Sequence, residues 1–281
     1  MTSHNSEIDV AATDSTRADT AFTGSIPEIY DRFMVPMLFQ PYARDLARRI
    51  LGLAPGAILE TAAGSGVLPR VLAPQLSPET DYIITDLNQE MLDHARSRQP
   101  GLDWRQADAL ALPFDDGRFD CLACQFGVMF FPDRAQGFAE ARRVLRPGGT
   151  YLFNVWDRIS ENALADMVTD AAAAILPDDP PRFLARTPHG YHDPVLIAQE
   201  LRYAGFRDVG ISYVDGMSRV EDPTHPAIAF CRGTPLYGEI LDRDPDTLAE
   251  IIARASDRIA ARYGPGPVSA PMRALIITAI A

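Results

Sequence analysis

Along most of this chain, short apolar runs alternate with stretches of helical period, the rhythm of strands interleaved with helices. Ala57-Ile58-Leu59 reads as a buried strand ending in Glu60, and the next apolar positions, Val67, Leu68, Val71 and Leu72, fall at helical spacing. The unit then repeats. Tyr82 to Asp86 predicts a second strand, followed by a helix capped by Asn88 with Met91, Leu92 and Ala95 on one face. Further strands are expected near Leu102 to Gln106, Phe119 to Gln125 and Thr150 to Trp156. Between the last two, a helix from Asp133 to Leu145 stops at Arg146-Pro147-Gly148-Gly149. Strands alternating with helices imply an α/β fold with a parallel sheet.

The flanks follow a different pattern. Residues 1–23 are polar and aperiodic, which predicts a disordered tail, and 24–281 reads as one domain. Its first part, 24–51, carries Ile29, Tyr30, Phe33, Met34, Met37, Leu38 and Phe39 around Pro36, then a helix from Tyr42 to Leu51. That segment either covers the sheet edge or forms a lid over a ligand. After the fifth strand, Ser160 to Leu176 predicts a helix, and Arg182 to His192 a mobile link. Asp193 caps a helix that begins at Pro194 and runs to Tyr203, Val209 to Val214 is a sixth strand, and Met272 to Ile280 a seventh. Stretches 157–192 and 218–268 are read as insertions, the second with a helix carrying Leu248, Ile251, Ile252, Ala255 and Ile259.

Composition narrows the function classes. The 281 residues are 47% hydrophobic with a net charge of −12, and every cationic side chain is arginine. No basic stripe is visible, so nucleic acid is not expected as a partner. Cys121 and Cys124 resemble a C-x-x-C pair, but in a strand positions three apart face opposite sides, so they are read as core residues and no metal is expected. No leader and no apolar run of membrane length is seen, which gives a cytoplasmic expectation without membrane insertion.

The turn after the first strand, Thr61-Ala62-Ala63-Gly64-Ser65-Gly66, is built of small residues, so a ligand can lie against its backbone at the carboxyl end of the sheet. A dinucleotide fingerprint wants a third glycine three residues after Gly66, where Pro69 stands. Carboxylates end the first three strand units: Glu60, Asp86 and Asp108. That ring suits a ligand with a sulfonium and an amino group better than a diphosphate. Asp86 is placed for ribose hydroxyls, which argues for an adenosine without choosing the cofactor.

These motifs, with Leu112-Pro113-Phe114, Phe119-Asp120, Phe130-Phe131-Pro132-Asp133 and Leu145-Arg146-Pro147-Gly148-Gly149, resemble the class I S-adenosylmethionine (SAM)-dependent methyltransferases. Within them the chain is most similar to the small-molecule branch that includes the ubiquinone/menaquinone biosynthesis C-methyltransferases. The resemblance implies a Rossmann-like seven-stranded sheet with the last strand antiparallel between the fifth and sixth, helices on both faces and a helical lid. It implies SAM as cofactor and S-adenosylhomocysteine as product. Glu60, Ala62, Gly64 and Gly66 would then line the methionine portion, Asp86 the ribose, and Asp108 with Ala109 the adenine. Tyr30, Leu87, Met91 and Gln125 complete the expected cofactor set. Ala62 departs from the pattern, which has glycine there.

Phe126, Met129, Phe130, Trp156 and Tyr237 are the expected lining of an apolar acceptor pocket, quinone-like or a secondary metabolite. His189 and His192 are the catalytic candidates, with His225 and Tyr237 as further bases should the acceptor have a proton to lose. Two rival readings stay open: an NAD(P)-dependent oxidoreductase, and a non-catalytic binding protein with the same fold. The sequence leaves open whether carbon, nitrogen or oxygen is methylated, and whether the chain is a monomer or a homodimer.

Overall fold

The computed structural model describes residues 29–281. The expected tail, 1–23, and the start of the lid segment, 24–28, lie outside them. Seven strands form one sheet: β1 (Ala57–Glu60), β2 (Asp81–Asp86), β3 (Asp103–Gln106), β4 (Phe119–Gln125), β5 (Leu145–Trp156), β6 (Arg207–Val220) and β7 (Val268–Ile280). Their order is β3-β2-β1-β4-β5-β7-β6. β1 to β5 run parallel, and β7 lies antiparallel between β5 and β6, the arrangement expected from the resemblance. The chain leaves β1 in opposite directions towards β2 and β4, so a crevice opens outside the carboxyl ends of these central strands.

Two apolar layers cover the sheet, and the pleat assigns each residue to one of them. Ile58, Tyr82, Ile84, Cys121 and Ala123 pack under α2 (Gln40–Leu53), α3 (Val67–Leu72) and α4 (Gln89–Arg98), through Leu46, Ile50, Leu68 and Leu92. Leu59, Ile83, Leu122, Cys124 and Phe153 face the other layer, which holds Phe138 and Val144 of α5 (Arg134–Val144) and Val168 of α6 (Ala163–Ile175). Ile58, Leu59, Ile83 and Ile84 are fully buried, each worth roughly 1.5–3 kcal/mol of transfer free energy. Cys121 and Cys124 thus sit on opposite faces, as their spacing predicts.

Ahead of α2 stands α1 (Tyr30–Phe39), a helix of unusually wide turn, in which the Gln40 N–H donates to the Val35 carbonyl five residues back. Met34, Val35, Met37, Leu38 and Phe39 are buried beneath it. It packs on β6 and on α9 (Thr224–Arg232), which follows α7 (Phe183–Arg186) and α8 (Pro194–Tyr203).

Three expectations need correction. β6 continues to Val220 and pairs with β7 as far as Val220–Val268, so the second insertion spans 221–267 rather than 218–268. Asp215, Gly216 and Arg219 look like loop residues, but β6 is an edge strand, and Tyr213, Asp215, Met217 and Arg219 simply alternate outwards while Ser218 is buried. The 182–192 stretch is no mobile link: α7 anchors it through buried Phe183 and Leu184, and His189 and Tyr191 are buried as well. Finally, β5 begins at Leu145, because Leu145 already pairs with Phe119 and the Arg146–Gly149 turn bulges out before Thr150 pairs with Cys121.

Candidate active site

The loop after β1 is held by backbone bonds to its neighbours. Thr61 N–H donates to the Ala123 carbonyl (2.9 Å), and Ala63 N–H to the Thr85 carbonyl (3.0 Å). Ala62, Gly64 and Gly66 all have left-handed backbone, with φ of 53°, 56° and 78°. Asp86 fastens the loop from β2: its Oδ2 accepts from Gly64 N–H at 2.7 Å, and its Oδ1 from Asn88 N–H at 2.8 Å. Burial raises the Asp86 carboxyl above its ordinary range, against these backbone donors, which act to lower it. The Asn88 side chain caps α4, accepting from Glu90 and Met91 N–H.

Outside these strand ends lies a cleft of about 790 Å³, within the ~300–1,000 Å³ usual for small-molecule sites. Tyr30, Ala62, Gly64, Asp86, Leu87, Met91, Asp108, Ala109, Gln125, Phe126 and Phe130, all singled out from the sequence, line it. Glu60 and Gly66 do not. The pleat points Glu60 to the same face as Ile58 and Tyr82, where it is fully buried and accepts a short hydrogen bond from the Tyr82 hydroxyl. Burial pushes its carboxyl up to about 8, against the Tyr82 bond, which lowers it. Gly66 serves the loop from behind, where a β-carbon would come within 2.7 Å of the Trp104 ring.

A second, smaller cavity of about 60 Å³ adjoins the cleft, and Tyr30, Phe39, Phe126 and Phe130 line both. Phe126 is a bulky residue with φ of 53°, a conformation that needs support. It is held by Asn154, whose Oδ1 accepts from Phe126 N–H at 2.8 Å, and by stacking on Trp156 at a centroid distance of 3.9 Å. Trp156 and His189 line this cavity too. Of the other expected substrate-side residues, Met129 is buried in the core and Tyr237 is half-buried on α10 (Leu236–Arg243), and neither lines a cavity. His192 lines neither as well, because its Nδ1 is turned to the His189 carbonyl at 2.9 Å. His225 packs against Phe33 at the lid.

Several lining residues were not foreseen: Phe39, Ser65, Phe183, Leu184 and Phe230. Phe39 was visible as part of an aromatic cluster. Ser65 belongs to the small-residue turn already singled out, whereas Phe183, Leu184 and Phe230 come from distant segments with no local signal.

Asp31 was missed altogether, yet it ties α1 to the sheet domain. Its nearly buried carboxylate meets Arg70 at 2.8 Å and Arg98 at 2.9 Å, and accepts from the Ser65 hydroxyl at 3.3 Å. Removing the charge leaves two arginines without their partner, a larger loss than an exposed ion pair would give. Asp31→Asn is expected to cost about 1–3 kcal/mol. Hydrogen exchange should show amides of 30–39 opening faster, while those of β1 and β4 stay protected; equal protection of α1 in the variant would refute the tie.

Comparison with known proteins adds a separate line. A family model for a methyltransferase domain matches residues 58–149. The demethylmenaquinone methyltransferase of Deinococcus radiodurans is 28% identical over 185 residues, 59% of this chain and 74% of that protein. The ubiquinone/menaquinone biosynthesis C-methyltransferase UbiE of Hahella chejuensis is 35% identical over 108 residues, 36% of this chain and 43% of that protein. Among solved structures, a methyltransferase-fold protein of Bacillus halodurans superposes with a TM-score of 0.52 at 20% identity, covering 84% of this chain and 98% of the other, which speaks to the fold alone. Sheet order, matched domain and relatives together support a class I SAM-dependent methyltransferase, the class whose methyl donor is SAM. Within that class it resembles the ubiquinone/menaquinone biosynthesis C-methyltransferases. No helix among the described residues is long and apolar enough to cross a membrane.

Proposed function

We propose that the protein moves the methyl group of SAM to a small, largely apolar acceptor seated in the cavity beside Phe126 and Trp156. One observation carries this reading: the wall of Tyr30, Phe39, Phe126 and Phe130 is common to the cleft and the apolar cavity, so a cofactor in one would abut an acceptor in the other. The names of the Deinococcus and Hahella relatives support a quinone-like ring as acceptor.

The cleft's residues suit SAM. Backbone N–H groups of Gly64, Asn88 and Leu87 are directed at the Asp86 carboxylate, and with about four lone-pair sites it keeps room for a ribose hydroxyl. Asp108 can take the adenine amino group, with Leu87, Met91 and Ala109 against the ring. The backbone of Ala62 to Gly64 is left for the methionine end, with Gln125 at the rim, where its amide donates to the Phe39 carbonyl at 3.0 Å and pins the end of α1. Glu60 and Gly66 support the loop from beneath rather than touching the cofactor. None of the described lining residues is cationic, so a dinucleotide's diphosphate would find no positive side chain to offset its charge beside Asp86 and Asp108. Bound there, SAM supplies a methyl group already activated by its positive sulfur. The chain's own work is alignment and exclusion of water: α1 roofs both spaces, and the Phe126–Trp156 stack sets one rigid side of the acceptor cavity. An in-line displacement needs little more.

The test is a thermal-shift titration with SAM, S-adenosylhomocysteine and NAD(P)H on the wild type and on Asp86→Ala. A ligand at a hundred times its dissociation constant adds about 2.7 kcal/mol. Stabilisation by the two sulfur compounds alone, lost in the variant, is the expected result. Stabilisation by NAD(P)H instead would overturn the proposal.

A further inference from the structure

The apolar cavity has an unusual balance of polar groups. None of its described lining residues is Asp, Glu or Arg, so neither a cationic nor an anionic acceptor would find a counter-charge there. Its neutral polar side chains are mostly occupied. Asn162 Nδ2 donates to the Asp157 and Arg273 carbonyls, each at 3.2 Å, and its Oδ1 accepts from Arg273 N–H at 3.2 Å. The Thr234 hydroxyl donates to the Phe230 carbonyl at 2.7 Å and accepts from Leu236 N–H. The Ser218 hydroxyl is turned to the Met272 sulfur at 3.3 Å.

His189 differs. It is 6% exposed, and its Nδ1 lies 2.8 Å from the Asp157 carbonyl. A carbonyl only accepts, so Nδ1 carries the proton and Nε2 is a bare acceptor. No described residue bonds that nitrogen. Burial lowers the imidazole to about 4, with a smaller contribution from nearby His192, so the ring is neutral at pH 7. His192 fixes the same backbone from behind through the His189 carbonyl. A tautomer fixed by the Asp157 carbonyl leaves Nε2 as the acceptor of a side chain that lines an apolar cavity, an arrangement able to read one hydrogen-bond donor.

We propose that His189 determines acceptor specificity: its Nε2 accepts a hydrogen bond from a single neutral donor, a hydroxyl or ring N–H, on an otherwise apolar acceptor. The inference rests on the methyltransferase reading for the word acceptor, but the recognition itself is a binding property. Leaving a buried acceptor unpaired is costly, so a ring lacking the donor is rejected more strongly than lost contact alone would cause.

Phenol and toluene are a suitable probe pair, since they differ only by hydroxyl against methyl. With uniformly 15N-labelled full-length protein saturated with S-adenosylhomocysteine, the His189 ring resonances, assigned by their loss in His189→Gln, report the bond directly. Phenol is expected to move the Nε2 resonance and toluene to leave it in place. The ratio of phenol to toluene affinity, read from Trp156 fluorescence in a Trp104→Phe background, should fall at least tenfold in His189→Leu and be partly kept in His189→Gln, whose amide oxygen still accepts. Equal movement by both probes, no movement with phenol at its solubility limit, or an unchanged ratio in His189→Leu would overturn the proposal. Should His189→Leu fail to fold, the wild-type resonances decide alone. Stabilisation by S-adenosylhomocysteine is measured separately, so failure here and failure of the methyltransferase reading give different results.

Discussion

Raising the pH from 6.5 towards 8 is expected to weaken the fold, because Glu60 keeps its proton in the native state and loses it on unfolding. Its carboxyl is raised from 4.5 to about 8 by burial, which outweighs the Tyr82 hydrogen bond that lowers it. Its Oε1 has no hydrogen-bond partner among the described residues, so ionisation would leave a poorly solvated charge. Below 4.5 both states hold the proton and the group contributes its full stability. Between 4.5 and 8 only the native state holds it, so stability falls by up to 1.36 kcal/mol per pH unit, on the order of 5 kcal/mol in all. His189 acts in the opposite sense: its pKa is lowered from 6.5 to about 4, so stability falls as the pH drops through that window. The two nearly cancel between 4.5 and 6.5, and from 6.5 to 8 the Glu60 loss stands uncompensated. Urea midpoints measured across this range should therefore decline above pH 6.5 in the wild type. In Glu60→Gln, whose amide imitates the neutral carboxyl, the decline should be absent; its persistence would show that another group titrates.

Gly66→Ala is expected to be the most damaging single substitution in the loop, although Gly66 does not line the cleft. Its φ of 78° disfavours any β-carbon, and that carbon would come within 2.7 Å of Trp104 Cη2 and 3.3 Å of Ala95 Cβ. A left-handed L-residue costs about 1–2 kcal/mol and overpacking typically ~1–3, so a loss of about 3 kcal/mol follows. At this chain length that is roughly 5–10 °C in Tm. Gly64→Ala provides the control: φ is 56°, but the new carbon would have Met91 Cε at a comfortable 3.6 Å. It should cost only about 1–2 kcal/mol, the backbone part. Calorimetric scans of both variants without ligand make the comparison, and equal losses would show that Trp104 yields freely.

The contrast between Glu60 and Asp86 shows what the sequence could and could not reveal. Both end strands as carboxylates, and both looked like cofactor ligands. Asp86 reaches the cleft because β2 ends there and its oxygens find Gly64 and Asn88 N–H. Glu60 is turned away by the pleat, and nothing in Ala57-Ile58-Leu59 disclosed which face was which, since every residue of β1 is buried. The same limit hid β6, whose outward Asp215 and Arg219 mimic a loop. Strand positions, caps and the helix stop were legible because their signals are local: Asn88 and Asp133 cap helices as their side chains suggest. Asp31 and the burial of His189 were not, since their partners lie far along the chain, 39 positions away for Arg70 and 32 for Asp157.

The residues at the two ends of the 221–267 stretch, Val220 and Val268, are paired partners in the sheet. That stretch supplies Phe230 and Thr234 to the apolar cavity and no residue to the cleft. It is therefore an exchangeable cassette: its stems stay hydrogen-bonded to each other whatever is spliced between them. Replacing that one continuous segment would recut only the Phe230 and Thr234 part of the apolar cavity's wall, while His189 and the four residues shared with the cleft, Tyr30, Phe39, Phe126 and Phe130, stay in place.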